Sequence, residues 1–320
     1  MAYQLDVSER IDAGVRRIAT ELIDDAIALV EAQNRDRHHA VHEVRKNCKK
    51  LRGLLRLIRP RVPDLYRIEN KHFRDAAAAL SGVRDAEAAL ESYDALLEAF
   101  AGPIDRASLA PMRRALTLHK QHLAEDVTDL DAQLDAFGER MHEARNRVAQ
   151  WCLPDDDPQS GKRGFQLLEG GLARTYKRGR KAMKVAYREP GVETFHEWRK
   201  RTKYLRYHLQ LLRPAWPRLL KRTRSEVKAL GGLLGDDHDL AMLEHVLTAA
   251  VGEDADEGRM TVLKALMHQR SVQLRHQAHW LGLRVYAEKP GFFRRRIGRY
   301  WKTARDQSRA AEAQRMGLGG

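Results

Sequence analysis

HEVRKNCKKLRGLLRLIRP at 42–60 and HEWRKRTKYLRYHLQLLRP at 196–214 decide how this chain is read. Aligned without a gap, the two stretches are identical at 11 of 19 positions, where chance gives about one. The offset of 154 also carries Leu80 onto Leu234, Ser81 onto Gly235 and Arg84-Asp85 onto His238-Asp239. The register thus holds from 42 to 85 with no net insertion, and the chain contains an internal repeat.

Each copy reads as a two-faced helix. At about 100° per residue, Arg45, Lys46, Lys49, Arg52, Gly53 and Arg56 fall within about 80° of His42. Val44, Cys48, Leu51, Leu55 and Ile58 fall on the opposite side. The second copy repeats the arrangement, with His196, Arg199, Lys200, Lys203 and Arg206 against Phe195, Trp198, Leu205, Leu209 and Leu212. His42 and Arg56 are separated by about 21 Å of helix at ~1.5 Å per residue. Glu43 and Glu197 lie to one side, so few acids are expected to relieve the repulsion along the stripe. Like charges at i,i+4 cost a few tenths of a kcal/mol each, about 0.2–0.5. A repulsive face kept twice points to an anion: arginine grips phosphate oxygens in pairs, lysine acts as a point charge, and histidine gains charge as pH falls.

The rest of the chain follows the same period. Further helices are expected over 8–33, 36–59, 64–80, 83–100, 108–151 (with a break near Gly138), 165–188, 191–213, 215–234, 239–251, 256–287 and 290–311. Glycines and prolines fall between these segments, and no hairpin or alternating strand pattern occurs. The fold class is all-α. The polar stretch at 153–164 reads as a linker between an N-terminal helical half, 1–152, and a C-terminal half, 165–312, with a disordered tail at 313–320.

Composition limits the partners. Fifty-eight Lys and Arg against 44 Asp and Glu give a net charge of +14, and the pI is near 9.9. Such an excess favours a polyanion: nucleic acid, an anionic membrane or polyphosphate. Cys48 and Cys152 suggest neither a disulfide framework nor a zinc site. Residues 1–10 lack the apolar region of a signal peptide, and no apolar run is long enough to span a membrane, so the expected compartment is the reducing cytoplasm. Phe195 and Trp198 lie on the apolar side, away from the cations. Single-strand nucleic-acid binders usually expose such rings for stacking, so a polyanion without bases is favoured over nucleic acid, which stays as the alternative partner.

The same residues offer few openings for catalysis. His42-Glu43 and His196-Glu197 lack the second histidine of a zincin, since Lys46 and Lys200 stand there. His38 and His42 are spaced i,i+4 but have no third ligand. His238-Asp239, after Asp236-Asp237, admits a metal-dependent phosphohydrolase as a second alternative. Its repeat partner Arg84 cannot bind a metal, however, and Asp239 is read first as a helix cap or ion-pair partner. No Walker, nucleophile-elbow or dinucleotide motif is present, nor the E-x-E-x-K of a tunnel triphosphatase. The expectation is a non-catalytic protein with no metal or cofactor. Arg174, Lys177, Arg178 and Lys181 form a third basic cluster that the first half lacks, and Arg294, Arg295, Arg296, Arg299 and Lys302 add charge near the end. Phe292, Phe293 and Trp301 are expected to pack the last helix.

H-E-x-R-K-x-x-K-x-L-R, present twice, resembles the signature of the CHAD domain, a histidine-containing α-helical family. The stretches 171–180, 234–240 and 288–294 are similar to other CHAD segments, and the resemblance runs over roughly 5–305. It implies two helical bundles related by pseudo-twofold symmetry, with a central basic groove or pore that binds inorganic polyphosphate, and association with polyphosphate granules. Carried over position by position, the implied binding residues are His42, Arg45, Lys46, Lys49 and Arg52, then His196, Arg199, Lys200, Lys203 and Arg206. Tyr176, Arg180 and Lys228 are flanking candidates. The first half departs from the pattern in carrying Arg84 opposite His238, and Asp24 and Asp25 on its first helix, which implies weaker binding there. No membrane partner is implied, and neither the residues nor the resemblance fixes an oligomeric state.

Overall fold

A computed structural model describes residues 3–33, 36–80, 84–101, 106–125, 130–153, 165–251 and 257–315. Most of the expected linker and the end of the expected tail, 154–164 and 316–320, lie outside the described residues. Among the described residues there are eleven α-helices, one short 3-10 turn and no strand. In chain order they are α1 (Ile11–Glu31), α2 (Arg37–Ile58), α3 (Pro63–Ala78), α4 (Arg84–Ala99), α5 (Arg106–Glu125), α6 (Leu130–Ala149), α7 (Gln166–Arg188), α8 (Val192–Leu211), α9 (Pro217–Val251), α10 (Glu257–Val285) and α11 (Pro290–Arg315).

The repeated stretches form α2 and α8. The Asp36 side chain caps α2 by accepting from the His39 backbone N–H, which satisfies one donor that a helix start leaves open. Pro63 occupies the first turn of α3, where its missing N–H costs nothing. The apolar stripe of each repeat is buried as the 3.6-residue period requires: Val44, Cys48, Leu51, Leu55 and Ile58 in α2, and Phe195, Trp198, Leu205, Leu209 and Leu211 in α8. Each such side chain contributes about 1.5–3 kcal/mol when fully buried. Over 42–60 and 196–214, equivalents 154 apart are equally buried, half-buried or exposed, except at 47/201 and 60/214. The duplication therefore extends to the environment of each residue.

The two copies touch at equivalent positions. Gly53 lies against Tyr207, its repeat equivalent, so closely that an added Cβ would stand 3.1 Å from the tyrosine Cβ and 3.1 Å from the Tyr3 hydroxyl. One residue further along, the buried His208 bonds through Nε2 to the Gly53 carbonyl at 3.1 Å. Burial pushes His208 down to about 3, so the ring is neutral and donates that bond. The N-terminal segment fastens the same crossing: the Tyr3 hydroxyl donates to the Lys50 carbonyl at 2.7 Å, and the Leu5 amide donates to the Leu211 carbonyl at 3.0 Å. On the other side, α7 presses on the end of α2. A Cβ at Gly171 would sit 1.9 Å from the Leu57 carbonyl oxygen.

Two cores result. The larger is built from α1, α2, α3, α6, α7, α8, the first part of α9, the end of α10 and α11. The smaller joins Tyr93, Leu96 and Leu97 of α4 and Leu109 and Met112 of α5 with Leu243 and Leu247 of α9 and Leu263 and Met267 of α10. It therefore unites segments from both sides of the expected linker.

Several expected boundaries differ. No break occurs at Gly138, which lies inside α6, buried where its Cβ would approach Val30 to 3.2 Å. The glycine serves close packing of α6 on α1 instead. The helices expected at 215–234 and 239–251 are one 35-residue helix, α9, so Asp239 is not a cap. Ser8 does not start α1; its amide and hydroxyl donate to Asp6 Oδ1 at 2.8 and 2.7 Å, and the helix begins at Ile11. Phe293 and Trp301 are buried as expected, but Phe292 is 56% exposed, with the Arg295 guanidinium 4.6 Å from its ring centroid.

The glycine contacts make a paired prediction. Gly171→Ala forces α7 away from the α2 backbone and should destabilise the fold by about 1–3 kcal/mol or more. Gly232 in α9 has nothing within 4 Å of its Cβ position, so Gly232→Ala should stabilise by about 0.5–1 kcal/mol through helix propensity. Urea denaturation of the two variants measures both signs; equal effects would contradict the packing described.

Candidate functional site

The cationic residues of α2 and α8 lie on the solvent side of these buried stripes. His42, Arg45, Lys49 and Arg52 are half-buried and Lys46 is exposed; His196, Arg199, Lys203 and Arg206 are half-buried and Lys200 is exposed. Their polar partners are specific. Arg45 donates to the Ala77 carbonyl at 2.7 Å. Arg52 and Arg56 share the Asn70 side-chain oxygen at 3.3 and 2.8 Å. Arg199 is 3.8 Å from Asp239 and lies beside Gly235. Arg206 sits 5.3 Å from the Tyr207 ring centroid.

The acids are closer than helix angles implied. Lys46 reaches Glu43 at 2.8 Å, and Lys200 reaches Glu197 at 2.8 Å. Arg201 also pairs with Glu197, and His42 stands 3.5 Å from Glu43. Lys46 lowers the Glu43 carboxyl below its ordinary range through that hydrogen bond. At Glu197, burial works upward, but Lys200 and Arg201 outweigh it and the carboxyl stays low. The expected unrelieved stripe is thus corrected: each copy carries the same i,i+3 lysine–glutamate pair. Both lysines are about half exposed, 47% in each case, and such surface pairs are worth only about 0.2–1 kcal/mol.

The two histidines leading the stripes differ in surroundings. The His196 ring lies 4.4 Å from that of His238, tilted by 32°. Burial, then the charge of His238, Lys200 and Arg199, pushes His196 down from 6.5 to about 4. His238 Nδ1 is 3.2 Å from Asp239. Asp237 is buried and turned to α10, where it accepts from Ser271 and from Arg275 at 2.9 Å. One carboxylate of the DDHD run is thereby committed to a structural ion pair. No group of three or more His, Cys, Asp or Glu suited to a metal occurs among the described residues. The side chains of Arg84 and Asp85, the equivalents of His238 and Asp239, lie outside the described residues.

The flanking candidates fall in different places. Tyr176 is 1% exposed, donates its hydroxyl to the Val285 carbonyl at 3.1 Å and stacks on Phe293 at 4.2 Å; it is a core side chain rather than part of the cationic surface. Arg180 is half-buried on α7, and Lys228 is exposed on α9.

The stripe reading missed a cluster where three helices converge. Arg56 of α2 and Arg59 just after it, Arg174 and Arg178 of α7, and Arg201 and Tyr204 of α8 line one small cavity. The Arg56 guanidinium lies 3.9 Å from the Tyr204 ring centroid, close enough for a cation–π contact. The surplus of Arg174 and Arg178 over the first half was a visible signal, but their meeting with Arg201 depends on the crossing of α2 and α8. No described helix is long and apolar enough to cross a membrane.

The family model described as "CHAD domain" matches residues 17–248. Among solved structures, the crystal structure of the CHAD domain from the plant Ricinus communis is similar in fold, with a TM-score of 0.53 and 18% identity, covering 89% of this chain and 95% of that one. No curated protein matches the chain.

The depressed histidines set a pH response. Their folded values, about 4 for His196 and about 3 for His208, lie below the ordinary 6.5. The unfolded chain therefore takes up protons first as pH falls. The stability they contribute is complete above about 6.5 and is lost progressively as pH falls toward 4 and then 3. NMR titration should place the His196 midpoint below 5, roughly, in the free protein; a midpoint at or above 6.5 would refute the environment described.

Proposed function

The chain belongs to the CHAD domain family, and on that premise we propose that it binds inorganic polyphosphate without catalysis, through the cationic faces of α2 and α8. The observation that carries this reading is the matched environment of the two copies. His42, Arg45, Lys46, Lys49 and Arg52 and their equivalents His196, Arg199, Lys200, Lys203 and Arg206 are alike in residue type, spacing and degree of burial. Packing explains the apolar side of each helix. It does not explain why five cationic or imidazole side chains recur on the other.

The chemistry follows from the side chains. Arginine forks engage two phosphate oxygens at once and lysines neutralise charge along the chain. The Lys46–Glu43 and Lys200–Glu197 pairs are weak enough to open when a polyanion arrives. Binding releases counterions, so log affinity should fall with log salt at roughly −0.7 per phosphate contact, the single-strand nucleic-acid coefficient. Arg180 and Lys228 extend the proposed surface; Tyr176 is left out because its hydroxyl is spent in the core. A twofold arrangement of the copies about the Gly53–Tyr207 contact would set the faces around one basic groove, and retention on polyphosphate granules is the proposed cellular consequence.

Nucleic acid is the weaker partner in this reading. Phe195 and Trp198 are buried and cannot stack on bases beside the stripe. A phosphohydrolase site at His238-Asp239 is also weaker, because Asp237 is paired with Arg275.

Titration with long-chain polyphosphate tests the proposal. Lys49→Glu combined with Lys203→Glu should weaken binding at least about tenfold, or about 1.4 kcal/mol, with unchanged thermal stability. Affinity should rise with chain length until the surface is filled, and polyphosphate should displace RNA of equal charge. Unchanged affinity in the double variant would overturn the reading.

A further inference from the structure

The arginine cavity has no counterpart in the other copy. At the offset of 154, Arg56 corresponds to Gln210, Arg201 to Asn47 and Tyr204 to Lys50. The buried positions 14, 15, 18, 19, 22, 23, 26 and 30 of α1 match 167, 168, 171, 172, 175, 176, 179 and 183 of α7 at an offset of 153. In that register Arg174 and Arg178 face the equivalents Glu21 and Asp25. Four of the five guanidiniums are thus replaced by neutral or acidic residues, and only Arg59 keeps an arginine, Arg213, as its equivalent. The cavity cannot be a by-product of the duplication.

The cluster is also electrostatically costly. Burial, and then the neighbouring Arg201, Arg174 and Arg59, hold Arg178 below the ordinary guanidinium range. Burial does the same to Arg56, with Arg52 and Arg201 adding to it. Among the described residues the carboxylate beside the cluster is Glu197, which pairs with Arg201 and stands 4.0 Å from Arg178. One carboxylate against five guanidiniums leaves a strong positive excess. The inner space is about 20 Å³, which excludes a sugar or a base and would admit one oxygen of a phosphoryl group held at its mouth.

A terminal phosphoryl group fits these facts better than a phosphate inside a chain. It presents three free oxygens and carries close to two charges near neutral pH, because its second proton leaves at about 6. A phosphate inside the chain has fewer free oxygens and a single charge. Guanidinium forks are the side chains best shaped for several oxygens on one phosphorus. We propose that the cavity between α2, α7 and α8 is an end-binding site, which captures the terminal phosphoryl group of a linear phosphate chain and fixes where a bound chain begins. The proposal rests on the polyphosphate reading for the source of that end, although the site's chemistry would equally accept the end of a nucleoside triphosphate.

Cyclic and linear phosphates separate the possibilities. Cyclic hexametaphosphate has no ends and carries more charge than linear tripolyphosphate, so a merely basic surface favours the ring. Calorimetry on the full chain should show tripolyphosphate binding more tightly by about tenfold. Arg174→Gln with Arg178→Gln, both on exposed positions of α7, should abolish that preference. Lys49→Glu with Lys203→Glu should weaken long-chain polyphosphate yet keep the linear preference. Equal or tighter binding of the ring by the unmodified protein overturns the end site, as does a preference that survives the α7 substitutions. Full long-chain affinity in the lysine double variant overturns the polyphosphate reading instead. An ATP arm identifies the source: weaker binding than tripolyphosphate assigns the end to polyphosphate, and tighter binding assigns it to a nucleotide.

Discussion

The close crossing of α2 and α8 is the constraint on which the rest depends. Two helices rich in lysine and arginine repel one another, yet here they meet at Gly53 and Tyr207 with the glycine Cβ position 3.1 Å from the tyrosine. The contact is made by a glycine surface, by aromatic packing of Tyr3 on Tyr207 with centroids 6.0 Å apart, and by a neutral histidine bonded to a backbone carbonyl. A buried hydrogen bond of that kind contributes about 1 kcal/mol net. The larger share comes from the apolar stripes, which are buried on the far side of each helix. The cations of each helix stand on a surface that is fixed by what lies behind it.

That arrangement needs a rigid frame, and α9 supplies it. At ~1.5 Å per residue its 35 residues extend about 52 Å. Leu234 belongs to the larger core and Leu240 to the smaller, so the DDHD run occupies the junction. Asp237 turns to Arg275 and Ser271 on α10, while Asp239 faces Arg199 of the cationic helix. An acidic run that resembles a metal site in sequence is here a structural joint that also positions one cation of the stripe. The first copy handles the corresponding place differently: Asn70, the equivalent of Arg224, holds Arg52 and Arg56.

The repeat, the helical class and the two-faced character of α2 and α8 were legible in the sequence because each rests on local period. Identity at 11 of 19 positions and an apolar spacing of 3.6 leave little freedom. What could not be read required knowing neighbours. Gly138 looked like a break because glycine weakens helices, whereas Val30 on α1 gives it a packing role. Asp239 looked like a cap because acids favour helix starts, whereas Asp237 and Asp239 are satisfied by Arg275 and Arg199 from other helices. Glu43 seemed too far round the helix to reach Lys46, but a long lysine side chain spans that angle. Tyr176 was drawn into the candidate site by resemblance, and only the stacking on Phe293 places it in the core.

The half-burial of the cations bears on how a polyanion would be held. Fully exposed charges are screened by salt beyond about 8 Å at physiological ionic strength, and each contact is then weak. Fully buried ones would pay several kcal/mol or more in lost hydration. His42, Arg45, Lys49 and Arg52 and their equivalents lie between these limits, where the effective dielectric is lower than water and the groups remain reachable. The Ala77 carbonyl, Asn70 and the Tyr207 ring contact Arg45, Arg52 and Arg206 without carrying a countercharge, whereas Arg199 faces Asp239. The exposed lysines are neutralised instead by glutamates one turn away. A surface built this way keeps its repulsion low when empty and gains cationic charge when the lysine–glutamate pairs open, which suits a ligand that arrives as a long array of phosphates.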